Sequence, residues 1–126
     1  MKNKVSILIT NFNKADYIEE CITSCIKQSY DNFEILLADN YSTDNSSNII
    51  KKFNKNIKLF NIKKIFANAA ANQLYSNEIL INNSSGDFLC LLDSDDFFEL
   101  NKLKYIVDFF NNNQNLKLII DSPLII

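Results

Sequence analysis

Phe88-Leu89-Cys90-Leu91-Leu92-Asp93-Ser94-Asp95-Asp96 sets a continuous apolar run directly against three carboxylates. An uninterrupted run of this kind is the pattern of a central strand in a parallel sheet, covered on both faces. The carboxylates at its end repel one another unless something positive sits among them. Hard oxygen ligands suit Mg²⁺ or Mn²⁺, ions that take one or two protein carboxylates and leave the other positions to water and substrate phosphates. The stretch therefore predicts a diphosphate site at the end of a strand. The competing reading is that the aspartates cap a helix starting near Phe97, although one aspartate would suffice for that.

Upstream, Val5 to Thr10 is a β-branched strand ended by Asn11-Phe12-Asn13, and Tyr17, Ile18, Cys21, Ile22, Cys25 and Ile26 recur at helical spacing between Lys14 and Gln28. The unit repeats, with a strand over Phe33 to Ala38, a polar loop over Asp39 to Asn45 and a helix over Ser46 to Phe53 capped by Asp44 or Thr43. Ile57 to Ile62 reads as a weaker strand, Phe66 to Ile81 as a helix, and Asn82 to Gly86 as a break. Beyond the acidic cluster, Leu100 to Phe110 is an amphipathic helix and Leu116 to Ile120 a last strand before Pro123. The alternation predicts an α/β domain, a mostly parallel sheet flanked by helices. Ligands bind such sheets beyond the carboxyl ends of the strands, where the loops at Asn11, Asp39 and Asp93 all fall.

Composition narrows the chemistry. The chain has 126 residues, enough for one core, and a net charge of -2 from 13 basic and 15 acidic residues, which disfavours a nucleic-acid partner. Every basic residue is lysine, so anions must be held by lysine, backbone N–H groups or a metal rather than by a bidentate arginine. Three cysteines in apolar stretches read as reduced, buried thiols in a cytoplasmic protein, and with no histidine they do not complete a zinc site. The short N-terminal strand is neither a signal sequence nor a membrane span, and peripheral membrane association would have to come from elsewhere.

Several polar residues have two readings. Asp39 and its neighbours could hydrogen-bond a base or ribose, or form an Asx turn and a cap, and turn chemistry is favoured for Ser42, Thr43 and Asp44. Phe12 could stack on a flat base with Thr10 and Asn13 as polar contacts, but packing in the core is the favoured reading for it and for Ile65-Phe66. A phospho-acceptor domain with Mg²⁺ on a strand-end aspartate is disfavoured, since Thr10-Asn11-Phe12-Asn13 holds no acidic pair.

Val5 to Asn13, Tyr17 to Ile22 with Gln28-Ser29-Tyr30, Phe33 to Asp44 and Gly86 to Asp96 together resemble the inverting family 2 glycosyltransferases of the A-type nucleotide-diphospho-sugar fold. The resemblance implies a donor-binding domain over residues 1–126, truncated before the acceptor half, in an enzyme that transfers a hexose or similar sugar from a UDP-linked donor through Mn²⁺ or Mg²⁺ to a glycan or lipid-linked acceptor. It implies that Asp95 approaches the donor ribose, Asp96 holds the metal on the diphosphate, with Asp95 as its neighbour in the metal site, and Asp93 supports the cluster. Thr10, Phe12, Asp39 and Asn40 would surround the base, with Asn13 among the donor contacts. Asn40 stands where the family commonly has a second acidic residue, a proline is absent at Thr10, and Ala71-Asn72 or Ser76-Asn77 stands where an Arg-Asn pair is expected. The family's general base lies downstream of the acidic motif, and the sequence ends at Ile126. The alternative is a truncated domain that binds nucleotide and catalyses nothing.

Overall fold

Strands and helices alternate along the chain, as β1 (Val5–Asn11), α1 (Ile18–Ile26), β2 (Phe33–Asn40), α2 (Ser46–Lys51), β3 (Lys58–Ile62), α3 (Ala69–Asn83), β4 (Phe88–Asp93) and α4 (Lys102–Asn112). The computed structural model describes residues 2–63 and 65–120. The four strands form one parallel sheet in the order β3-β2-β1-β4, with Val5 opposite Phe33 on one side and Phe88 on the other. The expected α/β architecture is thus observed.

Strand alternation assigns each side chain to a face. Ile7, Ile9, Ile35 and Leu37 point to the face covered by α1, α2 and α4 and pack with Ile18, Ile22, Ile50, Leu103 and Val107. Leu8, Leu36 and Ala38 point the other way, onto Leu80 of α3, with Phe60, Tyr75 and Ile79 at the margin. Asn68 caps α3, its side chain accepting from the Ala71 N–H at 2.8 Å. The N-terminus of α4 is served from outside the helix, since Gln28 accepts from the Leu103 N–H at 2.9 Å and donates to the Glu99 carbonyl at 2.6 Å. Cys21 and Cys25 are buried free thiols, and burial pushes the half-buried Cys90 thiol up to about 11, away from the range of an activated nucleophile.

Two expectations fail on the side of the sheet beyond β1. Among the described residues β4 is an edge strand rather than a central one: Phe88, Cys90 and Leu92 pack on the α1 side, while Leu89 and Leu91 remain exposed, Leu91 at 58%. The physical reason is that α3 lies over β2 and β1 and does not extend across β4. Leu116 to Ile120 is not a strand. It follows a turn closed by the Leu116 N–H on the Asn113 carbonyl and pairs with no strand among the described residues, leaving Ile120 87% exposed. An apolar run becomes a strand only when a neighbour takes its backbone N–H and C=O groups. Pro123 lies outside the described residues.

The opposite, amino-terminal end of the sheet is held by one carboxylate. Glu34, with only 8% of its side chain exposed, accepts from Lys58 at 2.9 Å, Ser6 at 2.7 Å and the Ser85 N–H at 2.7 Å, and pairs with Lys4 at 3.3 Å. Burial pushes its pKa up, but the donors outweigh burial and hold the carboxyl far below the usual carboxylate range. A depressed pKa contributes stability that is present above the unfolded value of about 4.3 and lost as pH falls toward the folded value. Glu34→Gln is therefore expected to destabilise the fold by about 2 kcal/mol at neutral pH, with the difference shrinking in acid. Urea unfolding at both pH values checks it, and a pH-independent difference would count against this ionic role.

Candidate functional site

The sheet reverses direction at β1, which has β2 on one side and β4 on the other, so its carboxyl end is the switch point at which a crevice opens. Register brings residues there in pairs, the predicted Thr10 beside the predicted Asp93, and the predicted Asp39 beside Asn11. The loops after β1, β2 and β4 are then cross-linked by side chains, and they converge as the sequence predicts.

Asp39 anchors the junction of the first two loops. Its Oδ1 accepts from the Asn11 amide at 2.8 Å and the Ser42 hydroxyl at 2.6 Å, and Oδ2 receives the Ser42 N–H at a longer 3.4 Å. Asn13, in the left-handed region with φ 51°, accepts from the Thr43 N–H at 2.7 Å and the Asp44 N–H at 3.3 Å. The Asn13 side chain thus holds the next loop. Asp44 accepts from the Ala15 N–H at 2.9 Å and the Ser46 N–H at 2.9 Å, so it serves the start of α2 although the residue at the cap position is Asn45. The turn-and-cap reading of Ser42, Thr43 and Asp44 is the one the hydrogen bonds support.

Asn40 is buried beside Ala38 and Ile62 at the end of β2. Phe12 is 57% exposed, so the core-packing expectation for it fails: β1 ends at Asn11 and the next side chain has left the sheet. Ile65 is exposed too, whereas Phe66 packs edge-to-face against Tyr75 with ring centroids 5.3 Å apart. A hollow of about 230 Å³ opens at the carboxyl ends of β2 and β3, bordered by Asp39, Tyr41, Ser42, Asn61, Ile62 and Lys63. A larger one, of about 470 Å³, runs along the outer side of α1 against Phe97, with Asp16, Glu19 and Glu20 on its walls. Only the smaller hollow borders a residue expected to contact a donor.

Asp93, Asp95 and Asp96 present carboxylate oxygens that all lie within 4.8 Å of one another. The helix-capping reading of the three does not hold, because α4 begins at Lys102 and the intervening segment is pinned to Ser24 of α1 and to Gln28 and Ser29 just after it. Asp93 accepts from the Gln73 amide at 2.6 Å, and Gln73 also reaches the Thr10 hydroxyl at 3.4 Å. Asp95 pairs with Lys14 at 3.2 Å. Burial, followed by repulsion from Asp95 and Asp96, raises the Asp93 pKa from its ordinary value. An all-oxygen donor set of this spacing, still short of positive charge, fits a hard divalent cation.

Asn11, Lys14 and Gln73 were not legible as site residues. Asn11 reads as the polar end of a strand, Lys14 as the first solvated residue of a helix, and Gln73 as one polar residue among many on α3. Distance in sequence hides the contacts that matter, because Lys14 and Asp95 are joined only by the sheet order.

The Glycosyl transferase family 2 model matches residues 6–121. The chain belongs to that family. An uncharacterized glycosyltransferase of Haemophilus influenzae is 37% identical over 113 residues, which cover 86% of this chain and 43% of the relative. A dolichyl N-acetyl-α-D-glucosaminyl phosphate 3-β-D-2,3-diacetamido-2,3-dideoxy-β-D-glucuronosyltransferase of Methanococcus voltae is 34% identical over 110 residues, covering 86% of this chain and 34% of the relative. This family 2 chain thus spans less than half the length of either relative. Staphylococcus aureus TarS in complex with UDP superposes with a TM-score of 0.76 at 24% identity over 90% of this chain and 33% of TarS. The mannosyltransferase PcManGT of Pyrobaculum calidifontis, in complex with GDP-Man and Mn²⁺, superposes at 0.70 with 18% identity over 86% of this chain and 33% of that one. Both likenesses show the shared GT-A fold. No described helix is long and apolar enough to cross a membrane.

Proposed function

We propose that this chain is the donor-binding part of a glycosyltransferase and holds a nucleotide-diphospho-sugar, UDP-linked, through Mn²⁺ or Mg²⁺ on Asp95 and Asp96. The observation that carries the reading is the carboxylate cluster at the switch point, three residues within 4.8 Å, offset among the described residues by one ammonium and one amide. The UDP and UDP-GlcNAc complexes of TarS and the Mn²⁺ complex of PcManGT support the same class of ligand. When bound, the ion supplies electrostatic stabilisation of the departing nucleoside diphosphate.

The chain's own residues divide the work by position. Asp96 carries no side-chain hydrogen bond among the described residues, which leaves both its oxygens for the ion. Asp95 would share the ion with Asp96 and face the donor ribose, and Asp93, fixed by Gln73, would support the pair. Exposed Phe12 offers a face for the base, while Thr10 and Asp39 border it and the hollow beside Asp39 receives its edge. Asn13 acts through the loop it holds, and buried Asn40 shapes the end of β2. The acceptor would be a glycan or a lipid-linked sugar.

Calorimetric titration of UDP and GDP with and without Mn²⁺ tests the proposal. UDP binding that requires Mn²⁺ and exceeds GDP binding is the expected result. Absence of binding for both nucleotides would overturn it and favour a degenerate domain, as the Asn40 substitution and the lack of arginine would suggest.

A further inference from the structure

We infer that Lys14 is the cation that meets the donor's diphosphate, held on Asp95 until a divalent ion takes over that carboxylate and frees the ammonium for the phosphates. The inference rests on the donor-site reading above and adds a role that the acidic cluster alone does not contain.

The first observation is how the residue is mounted. On one side of Lys14, the Asn13 N–H donates to Ser42 at 3.0 Å and the Asn13 side chain accepts from Thr43 and Asp44. On the other side, the Ala15 N–H donates to Asp44 at 2.9 Å. The Lys14 carbonyl accepts from the N–H groups of Tyr17 and Ile18 at 3.0 and 2.9 Å, opening the turn into α1. Its backbone is thus fixed from three directions. Its side chain is not: Lys14 is 43% exposed and its one ion pair among the described residues is to Asp95, itself 42% exposed.

The second observation is the weakness of that pair. An ion pair so open to water contributes little, so either partner exchanges it readily for a stronger one. A divalent ion on Asp95 is such a partner, and it removes most of the field that holds the ammonium there. Because the carboxylates lie within 4.8 Å of one another and Lys14 already touches one of them, the released ammonium remains beside whatever the ion binds. A diphosphate bridged to that ion is the strongest available acceptor, and no arginine exists in the chain to compete for it.

A residue that competes with the ion yet helps the nucleotide gives opposite signs in two titrations. Mn²⁺ alone, then UDP in saturating Mn²⁺, are titrated into the full chain carrying Lys14, Lys14→Ala or Lys14→Arg, with thermal unfolding monitored for each. Lys14→Ala is expected to bind Mn²⁺ alone about 3-fold more tightly, since the competing charge is gone, and UDP about 10-fold more weakly. Lys14→Arg should keep both affinities within about 3-fold of the parent. Unchanged UDP affinity in Lys14→Ala, or a fall in Mn²⁺ and UDP affinity together, overturns the inference while leaving the donor site standing. A parent chain that binds neither Mn²⁺ nor UDP overturns both at once.

Discussion

Asp96→Asn is expected to weaken Mn²⁺-dependent UDP binding by about 100-fold, close to 2.7 kcal/mol, while leaving the fold unchanged or slightly more stable. The substitution keeps the side chain's size and removes one charge from a set of three oxygens that lie within 4.8 Å. No described side chain is orphaned by it, because Asp96 accepts no side-chain hydrogen bond and its N–H donates to the Asp93 carbonyl through the backbone. The fold therefore loses a repulsion and no contact, whereas the ion loses its least encumbered ligand. Asp93→Asn should cost the ion less, about 10-fold, because Gln73 already occupies one Asp93 oxygen. Calorimetry with Mn²⁺ and UDP, beside a thermal melt, measures both quantities on the same sample. Equal losses at the two positions would show that the ligands are shared differently.

Gly86→Ala is expected to destabilise the fold strongly. Gly86 precedes β4 at the amino end of the sheet, and its N–H donates to the Ser6 hydroxyl at 2.8 Å. A Cβ placed there would lie 2.6 Å from the backbone nitrogen of Ser6, 2.6 Å from its hydroxyl and 3.0 Å from the Lys4 carbonyl. The hydroxyl could rotate away, but the two backbone atoms belong to β1 and its lead-in, locked between β2 and β4. Overpacking against fixed backbone costs about 3 kcal/mol, which for a domain of this size lowers the melting temperature by about 10 °C. Glu34, one layer away, would feel the same shift through its bonds to Ser6 and Ser85. A melting temperature within about 2 °C of the parent would mean that the 84–87 segment yields more easily than its bonds to Lys4 and Ser6 imply. The fold of this glycosyltransferase domain thus depends on close backbone approach at one end of the sheet, and its chemistry on charge at the other.

Much of this was determined by the sequence itself. The β-branched and apolar runs at Val5, Phe33 and Phe88, each followed by helical spacing or a polar break, determined a parallel α/β sheet with the loops at Asn11, Asp39 and Asp93 on one side of it. Local pattern suffices there because a strand's carboxyl end and the loop after it are contiguous in the chain. Three carboxylates within four residues, likewise, are close together whatever the fold does. Tertiary structure alone decided the rest. Whether Phe88 to Leu92 lies at the centre or the edge depends on which strands flank it, and hydrophobicity records burial against something without saying what. Leu116 to Ile120 has the side chains of a strand and no strand beside it among the described residues, which composition cannot reveal. The juxtapositions of Lys14 with Asp95, Gln73 with Asp93 and Asn11 with Asp39 span up to 81 residues of chain and exist only because β1 is paired on both sides.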